Sequence, residues 1–305
     1  MTPAGQSSTT MSKKTKAWIE AMRLHTLPVS VAGVLTGGGC AAYFHSFKTL
    51  PFLICLMFAV CAQVVSNFAN EYFDYRNGLD RKGREGFKRG VTEGDISPCA
   101  MRNATFGLLT FTCLLGCTLL LWGSWWLIAV GIAVALFALG YSTGPYPLSH
   151  HGWGEIAVVV FFGVVPVVFT TYVQTLSWTM LPVALPLSAA IGLMGANVLI
   201  VNNYRDAEDD NRVGKRTLAV RWGRNRMPTL YFINGLAALL CIEIATAMRV
   251  AAIWQLGALA YINLHYLLWK KLGDSHGREL NPVLGKTAML MSGVSIWLLI
   301  ALALN

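Results

Sequence analysis

Gln63, Asn67, Asn70 and Asp74 are spaced four, three and four residues apart, the interval that stacks side chains along one face of a helix. Glu71 adjoins Asn70, and Asp80 follows a few residues on. The pattern recurs later in the chain, where Asn203, Asp206 and Asp210 are spaced three and four, with Asn202 and Asp209 beside them. Two opposed acidic faces repel unless cations sit between them. Carboxylates and carboxamides are oxygen ligands of the kind hard Mg²⁺ prefers, and Mg²⁺ characteristically bridges a few protein carboxylates to phosphate oxygens. Basic side chains surround each cluster: Arg81, Lys82, Arg84, Lys88 and Arg89 after the first, and Arg205, Arg212, Lys215, Arg216 and Arg221 around the second. An acidic stripe beside a basic loop suits a magnesium diphosphate. Taken singly, the cations also fit membrane topology, and Gln63 and Asn67 fit interhelical hydrogen bonding.

These stripes sit in a very apolar chain. Of its 305 residues, 55% are hydrophobic and only 13% charged, with a mean hydropathy of +0.52; a soluble domain carries roughly 25% charged residues. The apolar residues fall into nine blocks, about 26–44, 50–72, 104–122, 124–142, 155–173, 182–202, 228–247, 251–269 and 285–303, each near the roughly 20 residues that cross a bilayer as helix. The expectation is an all-α polytopic membrane protein of about nine spans. The acidic stripes then close the second and sixth spans. Of the 24 Lys and Arg, only Lys48 and Arg249 lie outside the N-terminal segment and the connections 2–3, 6–7 and 8–9. The positive-inside bias therefore puts the N-terminus in the cytoplasm, the C-terminus outside, and both acidic clusters on the cytoplasmic side.

The net charge of +9 reflects that topology and an anionic substrate; no basic soluble domain exists to hold nucleic acid. Residues 1–15 read as a disordered polar tail with no cleavable signal peptide, and 16–305 as a single transmembrane domain. Lys16–Leu24 reads as an interfacial helix leading into the first span. The seven Cys form no CxxC pair and read as small apolar filler.

Asn70-Glu71-x-x-Asp74-x₅-Asp80 resembles the first aspartate-rich motif of the UbiA superfamily of intramembrane prenyltransferases, and Asn203-x-Arg205-Asp206-x₃-Asp210 resembles the second. Glu71 stands where that family usually has Asp, keeping the carboxylate but lengthening its reach. Asp80 lies six residues after Asp74, where four is the common spacing, so it falls past the helix end. The Leu24–Pro28 segment, the Gly83–Ser97 loop and the Gly214–Gly223 run resemble the branch that prenylates 1,4-dihydroxy-2-naphthoate in menaquinone synthesis.

The resemblance implies a Mg²⁺-dependent transfer of a polyprenyl group from polyprenyl diphosphate to that acceptor, with loss of CO₂ and diphosphate, in a bacterial cytoplasmic membrane. It implies two Mg²⁺ ions held by Asn70, Asp74, Asn203, Asp206 and Asp210, with help from Glu71 and Asp80. Asp74, Asp206, Asp210, Lys215 and Tyr141 would do the chemistry, and Asn67, Asn70, Arg84, Lys88, Asn203, Arg205 and Arg221 would bind substrate. Tyr141 has an alternative reading as an aromatic-belt anchor. The loop from about 75 to 103 is expected to act as a lid. Two other readings stand beside this one: the same chemistry on 4-hydroxybenzoate or homogentisate, and a divalent-cation-coupled transporter, since intramembrane carboxylates also mark ion paths.

Overall fold

A computed structural model describes residues 12–83 and 86–305, and they fold entirely as helices and connections, with no strand among them. Ser12 caps the amphipathic α1 (Lys13–Met22) by accepting the Thr15 N–H. That helix starts and stops slightly before the expected Lys16–Leu24. The membrane domain follows as α2 (Leu27–Tyr43), α3 (Thr49–Arg76), α4 (Pro98–Thr118), α5 (Leu127–Gly140), α6 (Gly154–Thr175), α7 (Leu181–Arg212), α8 (Met227–Thr246), α9 (Gln255–Asp274) and α10 (Leu280–Ala303).

Each of the nine apolar blocks has its helix. Six of these helices, α3, α4, α6, α7, α8 and α10, are long and apolar enough to cross a membrane among the described residues. The other three fall short on length or composition: α2 has 17 residues, α5 has 14, and α9 is less apolar. The chain is a multi-pass membrane protein.

The helices close on themselves, because α10 packs against α2. The long α7 sits in the middle against α2, α6, α8 and α10. In its most apolar window 72% of the residues are buried, against 11% for α4, which faces outward. The main core runs through α2, α6, α7, α8, α9 and α10, with Leu187, Ile191, Tyr231, Leu284 and Met291 fully or almost fully buried. A second cluster of Ala17, Ala21, Phe68, Val91, Ile96 and Met101 seats α1 and the 77–97 connection on the ends of α3 and α4. Trp18 meets Phe68 edge-on at 5.5 Å. The seven cysteines are all free thiols.

The backbones of α6 and α7 approach closely. Over Val159–Val164 the turns of α6 widen into a π-helical stretch, which carries Gly163 onto Gly192 of α7. A Cβ on Gly163 would lie 2.6 Å from the Gly192 Cα, and one on Gly192 would lie 2.7 Å from the Val159 carbonyl oxygen. Small residues permit such backbone contact between membrane helices. Gly192→Val should cost at least about 1–3 kcal/mol from overpacking and lower the thermal midpoint in detergent. Gly293→Ala, where a new Cβ meets nothing within 4 Å, should leave the midpoint unchanged; equal midpoints for the two variants would refute the close-packing account.

Candidate active site

The two acid-bearing helices end in the same way. Asn77 caps α3, Gly78 takes a left-handed φ of 68°, the Gly78 N–H bonds to the Tyr75 carbonyl, and the Leu79 N–H reaches back to the Asp74 carbonyl at 2.9 Å. Val213 caps α7, Gly214 has φ 78°, the Gly214 N–H bonds to the Asn211 carbonyl, and the Lys215 N–H reaches the Asp210 carbonyl at 2.8 Å. This pairing of bonds around a left-handed glycine is the Schellman termination. It puts an aspartate at the equivalent position in the last turn of each helix and throws the chain back across the helix end. Asp74-x-Arg76-x-Gly78 and Asp210-x-Arg212-x-Gly214 are the sequence form of this shared cap, a signal the motif reading passed over.

Between these two ends lies a cavity of about 180 Å³. Its wall includes Asn67, Asn70, Asp74, Tyr141, Asn203, Arg205, Asp206, Asp210 and Lys215, so most of the site residues expected from sequence meet in one place. Asp74 is 0% exposed. Its Oδ2 accepts from Lys215 Nζ at 2.8 Å and Asn70 Nδ2 at 3.2 Å. Its Oδ1 is buried without a hydrogen-bond partner and lies 3.7 Å from His150 Nε2. Asp206 is held by the neighbouring Arg205 in a two-pronged pair, Nε to Oδ1 at 2.7 Å and Nη2 to Oδ2 at 2.9 Å. Arg205 also donates to Asn281 and Asn202, each at 2.7 Å. Asn203 donates to the buried Glu155 at the start of α6, at 2.9 Å.

The remaining expected residues lie elsewhere. Glu71, also 0% exposed, does not line the cavity; its Oε1 accepts the Val91 N–H at 2.9 Å and so holds the short Gly90–Glu93 helix of the 77–97 connection. Asp80 is not in the wall either, and it pairs with Arg89 at 3.4 Å. Helix geometry explains the split, since residue 71 stands about 100° around the helix from residue 70. Lys88 is exposed and off the cavity wall. Arg221 donates to the His151 carbonyl at 3.0 Å, tying the chain after α7 to the chain before α6. Arg84 lies outside the described residues.

Four further wall residues, Arg23, His25, Phe87 and Arg89, were not among the expected site residues, although Arg89 belongs to the basic loop expected beside the first stripe. Arg23, in a left-handed turn between α1 and α2, donates to Asn70 Oδ1 at 2.6 Å, and Arg89 donates to the same oxygen at 3.0 Å. Phe87 stacks on His25 with ring centroids 3.8 Å apart, and the Arg205 guanidinium sits 5.5 Å from the Phe87 ring centroid. Burial, with Arg23 and Arg205 nearby, pushes His25 down to about 4, so it stacks as a neutral ring at neutral pH. Ser142, just behind the wall, accepts from Asn70 Nδ2 at 3.0 Å. None of these has a periodic signature, because they reach the site from three connections and not from one helix face.

A second cavity of about 480 Å³ adjoins the first and is lined by apolar side chains of α3, α4, α5 and α6. Gln63, Ser66, Phe137 and Phe162 line both. Ile132 and Leu136 in its wall are 55% and 67% exposed, so the groove opens onto the outer face of the helix bundle. The pair forms a polar, cation-rich chamber joined to a long apolar slot.

Such a bundle, with paired acidic helix ends over an apolar slot, defines an intramembrane enzyme of the prenyltransferase class. The chain belongs to the UbiA prenyltransferase family, which it matches over residues 30–303. It is 32% identical to a 1,4-dihydroxy-2-naphthoate octaprenyltransferase of Haemophilus influenzae, over 95% of this chain and 97% of that one. It is 35% identical to the protein of the same description from Mycobacterium tuberculosis, over 90% and 92%. Its fold is similar to that of a UbiA homolog from Aeropyrum pernix, with TM-score 0.70, 14% identity and coverage of 95% and 99%. It is similar too to a UbiA homolog from Archaeoglobus fulgidus bound to DMAPP and Mg²⁺, with TM-score 0.67, 14% identity and coverage of 94% and 98%.

Glu71 gives a direct test of the lid contact. Leaving the Val91 N–H without its acceptor costs about 1–3 kcal/mol, so Glu71→Ala should speed tryptic cleavage within the 77–97 connection several-fold. Glu71→Gln keeps an oxygen and should be cut at the wild-type rate. Cleavage at one rate in all three proteins would remove the anchoring role.

Proposed function

We propose that the protein transfers a polyprenyl group from polyprenyl diphosphate to 1,4-dihydroxy-2-naphthoate, with loss of CO₂ and diphosphate. The observation that carries this reading is the shared wall of the two cavities. A prenyl diphosphate has a small, highly charged head and a long hydrocarbon tail, and the joined chamber and slot match both halves. The naphthoate acceptor is favoured by the two bacterial octaprenyltransferases that the chain resembles nearly end to end. A transporter would hold its ion near the bilayer midplane, whereas this cluster sits at two helix ends.

The residues present fit Mg²⁺. Asp74, Asp206 and Asp210 with the carboxamides of Asn70 and Asn203 form a purely oxygen donor set, and Asp74 Oδ1 is a buried carboxylate oxygen without a hydrogen-bond donor. These are the residues that would hold the metal, as two ions in our reading, and bound Mg²⁺ supplies neutralisation of the charge that develops on the departing diphosphate. Lys215, Arg205, Arg23 and Arg89 converge on the same chamber and offer charge-assisted donors to phosphate oxygens. Arg205 also suits the acceptor's carboxylate, and the neutral His25–Phe87 stack suits its aromatic ring. Tyr141, in the chamber wall, orients the acceptor. The 77–97 connection, held by Glu71 and Asp80, excludes water that would trap the allylic cation as an alcohol.

The site lies at the helix ends flanked by most of the chain's Lys and Arg. That supports a cytoplasmic opening in a bacterial inner membrane, with the N-terminus inside and the C-terminus outside.

Asp74→Ala and Asp206→Ala should each abolish prenyl transfer while the protein still inserts and purifies; turnover by either at saturating Mg²⁺ would sink the metal assignment. A panel of farnesyl diphosphate with dihydroxynaphthoate, hydroxybenzoate or homogentisate, with and without Mg²⁺, tests the acceptor. Product is expected with the naphthoate in the presence of Mg²⁺, and product from hydroxybenzoate alone would overturn the choice.

A further inference from the structure

Among the described residues, two of the cations that touch the site's carboxylates, Arg205 and Lys215, are held very differently. Arg205 is fixed on every side: Asp206 takes Nε and Nη2, Asn281 takes Nη1, Asn202 takes Nη2, and Phe87 lies under the guanidinium. Lys215 carries a single ammonium on a flexible four-carbon stem, and among the described residues its side-chain acceptor is Asp74 Oδ2 at 2.8 Å. Its backbone is nevertheless fixed, because its N–H closes the cap of α7 on the Asp210 carbonyl. Lys215 therefore has an anchored root and a tip held by one acceptor, and the residue lies in the chamber wall.

Asp74 is the most enclosed of the carboxylates in that wall, and a buried carboxylate needs a paired cation. A divalent ion ligated by Asp74 takes the place of the Lys215 ammonium or stands on the other oxygen of the same carboxylate. Like charges that close, away from bulk water, repel strongly. A diphosphate relieves that repulsion, since its oxygens bind the metal and offer the ammonium a new acceptor.

We propose that Lys215 is an exchangeable counter-ion: it neutralises Asp74 until a metal–diphosphate arrives, then passes from the carboxylate to a phosphate oxygen. This rests on the metal–diphosphate reading above. The consequence is a strong coupling between the two ligands, in which metal alone binds weakly and metal with diphosphate binds tightly. Coupling of this kind is reciprocal and commonly worth about 5–150-fold in affinity.

The test is metal affinity without turnover. Mn²⁺, as a spectroscopic stand-in, is titrated by electron paramagnetic resonance into the purified full chain without diphosphate. Lys215→Gln and Lys215→Met both remove the ammonium and should bind Mn²⁺ about tenfold more tightly than wild type, within that coupling range. Lys215→Arg keeps a cation and should match wild type. At saturating Mn²⁺ and with no acceptor, farnesyl diphosphate should bind the two neutral variants more weakly. A lysine that merely contacts phosphate, or merely supports the fold, would leave Mn²⁺ affinity unchanged or lower it, and that result overturns the exchange while the metal site stands. Wild-type protein that binds no Mn²⁺ even with farnesyl diphosphate would overturn the metal reading itself.

Discussion

Carboxylates in the last turns of apolar helices dominate this structure, because a charge removed from water is stable only when another charge or an ion meets it. Asp74 and Asp206 are buried, and the chain answers each with a cation. Lys215 comes to Asp74 from the turn after α7, and Arg205 comes to Asp206 from α7 itself. Arg23 and Arg89 arrive from the α1–α2 turn and the 77–97 connection and converge on Asn70. Segments far apart in the sequence are thus gathered at one end of the bundle by the need to balance charge there. The amphipathic helix α1 is drawn in by a neutral hydrogen bond, since the Asn67 carboxamide donates to the Met22 carbonyl at its end.

The first acidic motif divides its work by helical angle. Asn70 and Asp74 lie one turn apart and face the chamber, while Glu71 and the post-helical Asp80 turn to the connection that covers it. One short stretch of sequence thereby supplies part of the chamber wall and fastens the connection beside it. The apolar partners of that cover, Val91 and Ile96, pack with Phe68 and Met101, so the seal combines two polar anchors with an apolar seat.

Much of this was legible in the chain. Polar spacing in threes and fours identified one face on α3 and another on α7, and each of the nine apolar blocks has its helix among the described residues, six of them long and apolar enough to cross a membrane. Residues that reach the chamber from connections were not legible. Arg23 read as a topology charge, Arg89 stood out only as one member of the basic loop, and His25, Phe87 and Ser142 carry no periodic signal, since their positions follow from tertiary docking. The π-helical stretch of α6, which lies against Gly192 of α7, was equally hidden. The repeated cap could have been found, because Asp-x-Arg-x-Gly occurs after both stripes.

The depth of the site follows from two opposing costs. Moving the carboxylates and their cations toward the middle of the bilayer would raise the desolvation cost of every member of the cluster. Moving them outward into water would weaken the same attractions by raising the local dielectric, and would part the head chamber from the apolar slot. The boundary satisfies both. At that level the charged head of the proposed substrate would stay in reach of the aqueous side while its hydrocarbon tail would lie in the slot between α3, α4, α5 and α6. Gln63 and Ser66 with Phe137 and Phe162, which line both cavities, mark where polar wall gives way to apolar wall. A bond between head and tail would break at that junction, with oxygen ligands and cations on one side and aromatic rings on the other.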